Sequence, residues 1–205
     1  MPHIVLASAS PSRKRLLEAV GITATVVVSN VEEESDIYLA MNPREMVIAL
    51  AIVKAHTVRE VLEEPAIIIA CDSTFEFEGS SLGKPLTAEL ATERARLLSG
   101  KSGYLHTGHC VIDTERGVEI SDVVTTKVNF SKINEDEIAD YVQSGEPLHV
   151  AGGFTLDGLS SAFISSIEGD YTNVIGLSVP LLRKITTELG YSWPSLKNES
   201  IGAML

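Results

Sequence analysis

The stretch Ser8-Ala9-Ser10-Pro11-Ser12-Arg13 sets three hydroxyls and a guanidinium close together, directly after an apolar segment. This reads as a strand running into the first turn of a helix. Such a junction presents free N–H groups and the positive end of the helix dipole, a natural seat for an anion. Ser8, Ser10 and Ser12 add hydroxyl donors. Arg13 can grip a phosphate through two parallel N–H bonds. The same residues also make an ordinary capped helix with solvated side chains, and local sequence does not choose between the two.

Three further positions have chemical potential. Asp72 follows the apolar run Ile67-Ile68-Ile69-Ala70-Cys71 and reads as a carboxylate at the mouth of a buried strand. There it can hold a metal or take a proton from water, or it can simply cap the strand end. Lys84 is held between Gly83 and Pro85, a restricted backbone that can aim an ammonium at a phosphate or form a plain turn. Lys54 lies within a helical segment and either reaches solvent or points into a cleft. The acidic run Glu32-Glu33-Glu34-Ser35-Asp36 is a solvated face or a source of a metal ligand. His106 and His109 do not suggest zinc, because odd spacing on a strand sends them to opposite faces.

The elements that must position these groups follow from local patterns. Residues 3–7 and 66–71 read as buried strands, with Asp72 ending the second. Residues 23–28 are rich in β-branched types and read as another strand. Ser10-Pro11 opens a helix that Gly21 stops. Asn42-Pro43-Arg44-Glu45 and Asn134 with Glu137 are capping boxes, and Thr87 caps a further helix. Residues 104–112 and 118–130 form two long strands, 162–167 a later one, and 179–189 a last helix. Strands and helices intermix without a strict βαβ period, which indicates an α/β or α+β fold with a mixed sheet.

Bulk properties bound the function. The chain has 205 residues, 44% of them hydrophobic, with no linker or repeat, so residues 1–205 are expected to form a single domain. A net charge of −12 argues against a nucleic-acid duplex as partner. Cys71 and Cys110 form no CxxC pair and read as buried reduced thiols. No apolar run is long enough for a membrane span, and no leader pattern opens the chain. The expectation is a cytoplasmic protein, with a homodimer the default among oligomers.

Taken together, the motifs resemble the Maf-type (septum-formation) nucleotide pyrophosphatases. The segment 6–13 resembles that family's SxSxxR opening. In the same order come Leu50-Ala51 with Lys54-Ala55, Cys71-Asp72-Ser73, Gly83-Lys84-Pro85, Leu98-Ser99-Gly100, Thr107-Gly108, Gly145-Glu146-Pro147, Ala151-Gly152 and Asn173-Val174-Ile175-Gly176-Leu177. The resemblance reaches to about Gly190. It implies an elongated mixed sheet flanked by helices, with two lobes around a central cleft. It implies hydrolysis of nucleoside triphosphates, modified ones included, to monophosphate and pyrophosphate. Asp72 is then the base, Arg13, Lys54 and Lys84 hold phosphates, and Glu33 or Glu34 joins Asp72 at a divalent metal, Mg²⁺ or Mn²⁺.

The departures bear on the base. Ser12, Ser73 and Asp157 stand where the thymidylate/uridylate branch has Arg, Thr and Gln. The segment 147–154 is closer to the methylguanosine-triphosphate branch, and an acidic Asp157 suits the N–H-rich edge of guanine. Gly103 stands where the family has a histidine. The competing reading is a nucleotide-binding regulator of cell division with little turnover. It would have no need of the carboxylate at Asp72.

Overall fold

The structure is a computed structural model and describes residues 2–33 and 35–197. Among these the strands are β1 (Ile4–Leu6), β2 (Thr25–Val26), β3 (Ile67–Phe77), β4 (Ser80–Leu82), β5 (Ser102–Asp113), β6 (Val118–Phe130) and β7 (Ile164–Glu168). The helices are α1 (Pro11–Ala19), α2 (Asp36–Leu39), α3 (Pro43–Val61), α4 (Ala88–Leu98), α5 (Glu135–Gln143), α6 (Tyr171–Ile175) and α7 (Val179–Glu188). One mixed sheet runs in the order β2-β1-β3-β5-β6-β7, with β4 paired to β3. β1 is parallel to both β2 and β3, and the remaining pairs are antiparallel.

The caps read from sequence are present. Ser10, Asn42, Thr87 and Asn134 each accept from the backbone N–H three residues on. Asn134 and Glu137 form a complete reciprocal box. For Asn42 only its half of the box is recorded.

Alternation along β3 builds two cores. Ile67, Ile69 and Cys71 pack with Leu17, Leu182 and Ile185 of α1 and α7. Ile68 and Ala70 pack on the other face against Ala51, Ala55 and Val58 of α3. Further along the same strand, Phe75 and Phe77 enter a third cluster with Leu105, Phe130 and Phe154. Phe75, Phe130 and Phe154 meet edge to face with centroids 4.9 to 5.8 Å apart.

Strand lengths correct the sequence reading. β3 does not stop at Cys71 but continues to Phe77, so Asp72 lies in mid-strand. The reason is pairing: β5 runs antiparallel beside it from Asp113 to Tyr104 and carries the ladder past Asp72. β1 ends at Leu6, opposite Ile69, so one edge of β3 opens just before Asp72. Residues 23–28 shrink to the two-residue β2, because the short β1 is its partner. The later strand starts at Ile164, after a 3₁₀ turn over Leu159–Phe163.

Candidate active site

Where β1 ends and β3 continues, a cavity of ≈ 510 Å³ opens. Ser8, Ser10, Ser12, Arg13, Glu33, Lys54, Asp72, Ser73 and Lys84 all line it. Residues 149–151, Phe154 and Thr155 line it as well. Glu34 lies outside the described residues. Asp157 is not among the lining residues; it pairs instead with Arg15 at 2.7 Å and accepts from Thr155. Burial pushes its carboxyl up, but hydrogen bonds from Thr155, Arg15 and Ser12 outweigh this and hold it below the usual aspartate value.

The floor is an ionic cluster. Lys54 reaches inward from α3, and its Nζ lies 2.6 Å from Asp72 Oδ1 and 2.6 Å from Glu33 Oε1. Lys54 and Asp72 are both buried, whereas the Glu33 side chain is 43% exposed. Burial raises the Asp72 carboxyl above its ordinary value despite Lys54 and Arg13 beside it. Glu33 shows the reverse balance. Burial opposes ionisation there, but the charge and hydrogen bond of Lys54, with Lys84 and Arg13 beyond, hold it below the usual range. Lys84 is exposed and makes no ion pair with a described residue. Its loop is anchored, since Gly83 O accepts from Gly152 N and from Arg94.

Arg13 departs from the expected phosphate clamp. Its Nε donates to Gly176 O at 2.7 Å, Nη1 to Ser8 Oγ and Cys71 O, and Nη2 to Ser73 Oγ. Four of its five N–H groups are therefore spent on protein acceptors, leaving one for a ligand. The guanidinium ties β1, β3 and the end of α6 together.

These bonds fix what the serines can offer. Ser8 Oγ accepts from Ser10 N and Arg13, so its hydroxyl hydrogen is free to donate. Thr107 Oγ1 gives its hydrogen to Asn173 O, so Ser73 must donate to Thr107 while accepting from Arg13. Ser73 therefore presents a lone pair only. Thr107 and Asn173 belong to the TG and NVxGL motifs, the one signal for them in sequence, and here they orient the Ser73 hydroxyl.

His106 and His109 sit apart from the cavity, whereas His149 is among its lining residues. His109 is enclosed, its Nδ1 against Thr107 O and its Nε2 accepting from Ser178 N. His106 lies between Thr125 and Glu76. At Gly103, where the resemblance expected a histidine, any Cβ would collide with the Phe75 ring and Glu76 O. Cys71 and Cys110 are buried free thiols, and burial pushes Cys71 up to about 11. Among the described residues, no helix is long and apolar enough to cross a membrane.

The fold and the cavity define an α/β protein with a pocket suited to a phosphorylated small molecule: a hydroxyl donor at Ser8, the exposed Lys84 and a lysine bridging two carboxylates. Residues 3–189 match the Maf-like protein family, and the chain belongs to it. It is 50% identical over 189 residues to a Streptomyces coelicolor protein named nucleoside triphosphate pyrophosphatase, covering 92% of this chain and 91% of the relative. A protein of the same name from Thermosynechococcus vestitus is 42% identical over 199 residues, covering 97% of this chain and 100% of the relative.

Proposed function

We propose that this protein hydrolyses nucleoside triphosphates to nucleoside monophosphate and pyrophosphate. The observation that carries the reading is Asp72: a buried carboxylate with a raised proton affinity, facing a cavity of phosphate-binding groups. The name shared by the relatives supports it. Asp72 takes the proton of the attacking water as that water reaches the α-phosphorus. Lys84, the free hydroxyl of Ser8 and the Ser12 N–H at the start of α1 meet the phosphates, since Pro11 has no N–H and Ser10 N and Arg13 N are already bonded. Ser10 supports this turn by capping it, and Arg13 holds the walls and contributes its one remaining N–H.

The oxygens of Glu33 and Asp72 converge on one cation, the Lys54 ammonium. Hard carboxylate oxygens suit Mg²⁺ or Mn²⁺, so the residues fit a divalent metal. Glu33 and Asp72 would hold it, with Glu34 a further candidate ligand. When bound, such a cation supplies positive charge against the phosphate oxygens.

For the base, the resemblance of 147–154 to the methylguanosine-triphosphate branch favours a purine. Ser73, with only a lone pair to offer, selects a donor group on the nucleotide. Ser12 lines the cavity and is tied through Arg15 to Asp157, which lies outside the lining. A cytoplasmic homodimer completes the proposal. The test is pyrophosphate release from a panel of triphosphates with Mg²⁺ or Mn²⁺. Pyrophosphate plus monophosphate is expected, with guanine-type substrates ahead of dTTP and UTP. Release of orthophosphate would overturn the reaction class. Binding without turnover would make the protein a nucleotide-binding regulator instead.

A further inference from the structure

We propose that the Lys54 ammonium is a built-in occupant of the cation position between Glu33 and Asp72. It keeps free divalent metal out, and the metal is admitted only together with a triphosphate. This rests on the pyrophosphatase reading for the identity of the anion. The geometry is direct: one Nζ lies 2.6 Å from an oxygen of each carboxylate. A divalent ion bound to the same two oxygens needs distances of about 2.0–2.6 Å. It would have to sit where the ammonium sits, and two cations cannot share that point.

The fold keeps Lys54 there. It is carried by α3, with Ala51, Ala55 and Val58 of the same helix buried in the core, and its own side chain is only 7% exposed. A buried ammonium cannot leave its carboxylates without another anion to receive it. Among the described residues, Glu33 and Asp72 are the acidic groups lining the cavity. Among the described residues Lys54 therefore has no further acidic partner in the cavity until an anionic ligand arrives. A triphosphate provides one and brings oxygens of its own. The protein alone is a poor metal site in any case: among the described residues no three His, Cys, Asp or Glu side chains are grouped to hold an ion. Lys54 would exchange the carboxylates for phosphate, leaving Glu33 and Asp72 free to hold the metal. Binding of metal and nucleotide is thus positively coupled, and by the same factor in both directions.

Equilibrium dialysis of Mn²⁺ against the full chain tests this, with a non-hydrolysable triphosphate in both chambers or in neither. In wild type the analogue should tighten protein-bound Mn²⁺ by at least ~10-fold. Lys54→Met should bind one Mn²⁺ without nucleotide, at least ~10-fold more tightly than wild type does. Glu33→Gln in that background should abolish the gain. Equal Mn²⁺ affinity in wild type and Lys54→Met would overturn the proposal. Should Lys54→Met fail the circular-dichroism check for folding, the wild-type arm decides alone. An Mn²⁺ affinity indifferent to the analogue then refutes the coupling. Failure of the pyrophosphatase reading would instead show as absence of pyrophosphate release, while the Lys54→Met arm stands.

Discussion

Asp72 and Arg13 show how a side chain's partners decide its role. Burial raises the Asp72 carboxyl, so its ionised form is the less comfortable one in the folded protein. A raised pKa gives stability that is present at low pH and is lost as pH rises through it. A base, by contrast, works only once ionised. The acid limb of kcat/KM should therefore be centred above 3.8, the ordinary aspartate value. A limb at or below that value would contradict the assignment. Asp72→Asn should keep the fold and lower turnover by at least ~10²-fold. Arg13 and Lys84 should separate in the opposite sense. Arg13→Lys strands buried carbonyls at Cys71 or Gly176 and should cost roughly 2 kcal/mol or more of stability, read by thermal unfolding. Lys84→Ala should leave unfolding unchanged and weaken triphosphate binding far more than nucleoside binding, by calorimetry.

At the scale of elements, the site depends on how closely α3 lies on the sheet. Gly108 pairs with Asp72 across β3 and β5. A Cβ at that point would overlap the backbone of Val47 and Ile48 in α3. Only glycine allows this approach, and the approach is what brings Lys54 to Asp72. Gly108→Ala should push α3 outward, cost roughly 1–3 kcal/mol and lower activity, with denaturant unfolding and pyrophosphate release as readouts. Gly83 is a contrast. Its Cβ would meet open space, so Gly83→Ala should leave stability unchanged. At Gly103 a Cβ is likewise excluded, because Phe75 fills that space.

At the scale of the whole molecule, His109 joins the sheet to the start of α7 through Ser178. Burial first, and the Arg13 charge second, depress its pKa from 6.5 to about 4. The unfolded chain takes up a proton near 6.5, whereas the folded one refuses it until about 4. Stability from this group is thus complete above 6.5 and declines as pH falls towards 4, by roughly 3 kcal/mol in all. His106 acts in the same direction, since burial lowers it against the pull of Glu76. Denaturation midpoints measured from pH 7 to 4 should fall, and His109→Gln should flatten the slope. An unchanged slope would mean that the ring is protonated in the folded state.

The sequence determined whatever depends on neighbours within a few residues. Ser10, Asn42, Thr87 and Asn134 cap their helices through bonds to the residue three ahead, a geometry that side chain and backbone fix locally. The apolar alternation and the ordered motifs likewise made the sheet class and the family legible. Tertiary structure decided what depends on distant partners. Asp72 lies in mid-strand because β5 pairs beside it, which residues 66–71 could not reveal. Arg13 turns inward to a carbonyl 163 residues away, and Asp157 is taken up by Arg15 from 142 residues away. Lys54 meets Asp72 across 18 residues because a glycine lets a helix touch a strand. Charge and hydrogen-bond capacity are written in residue types, but which acceptor receives which donor is settled only when packing brings the segments together.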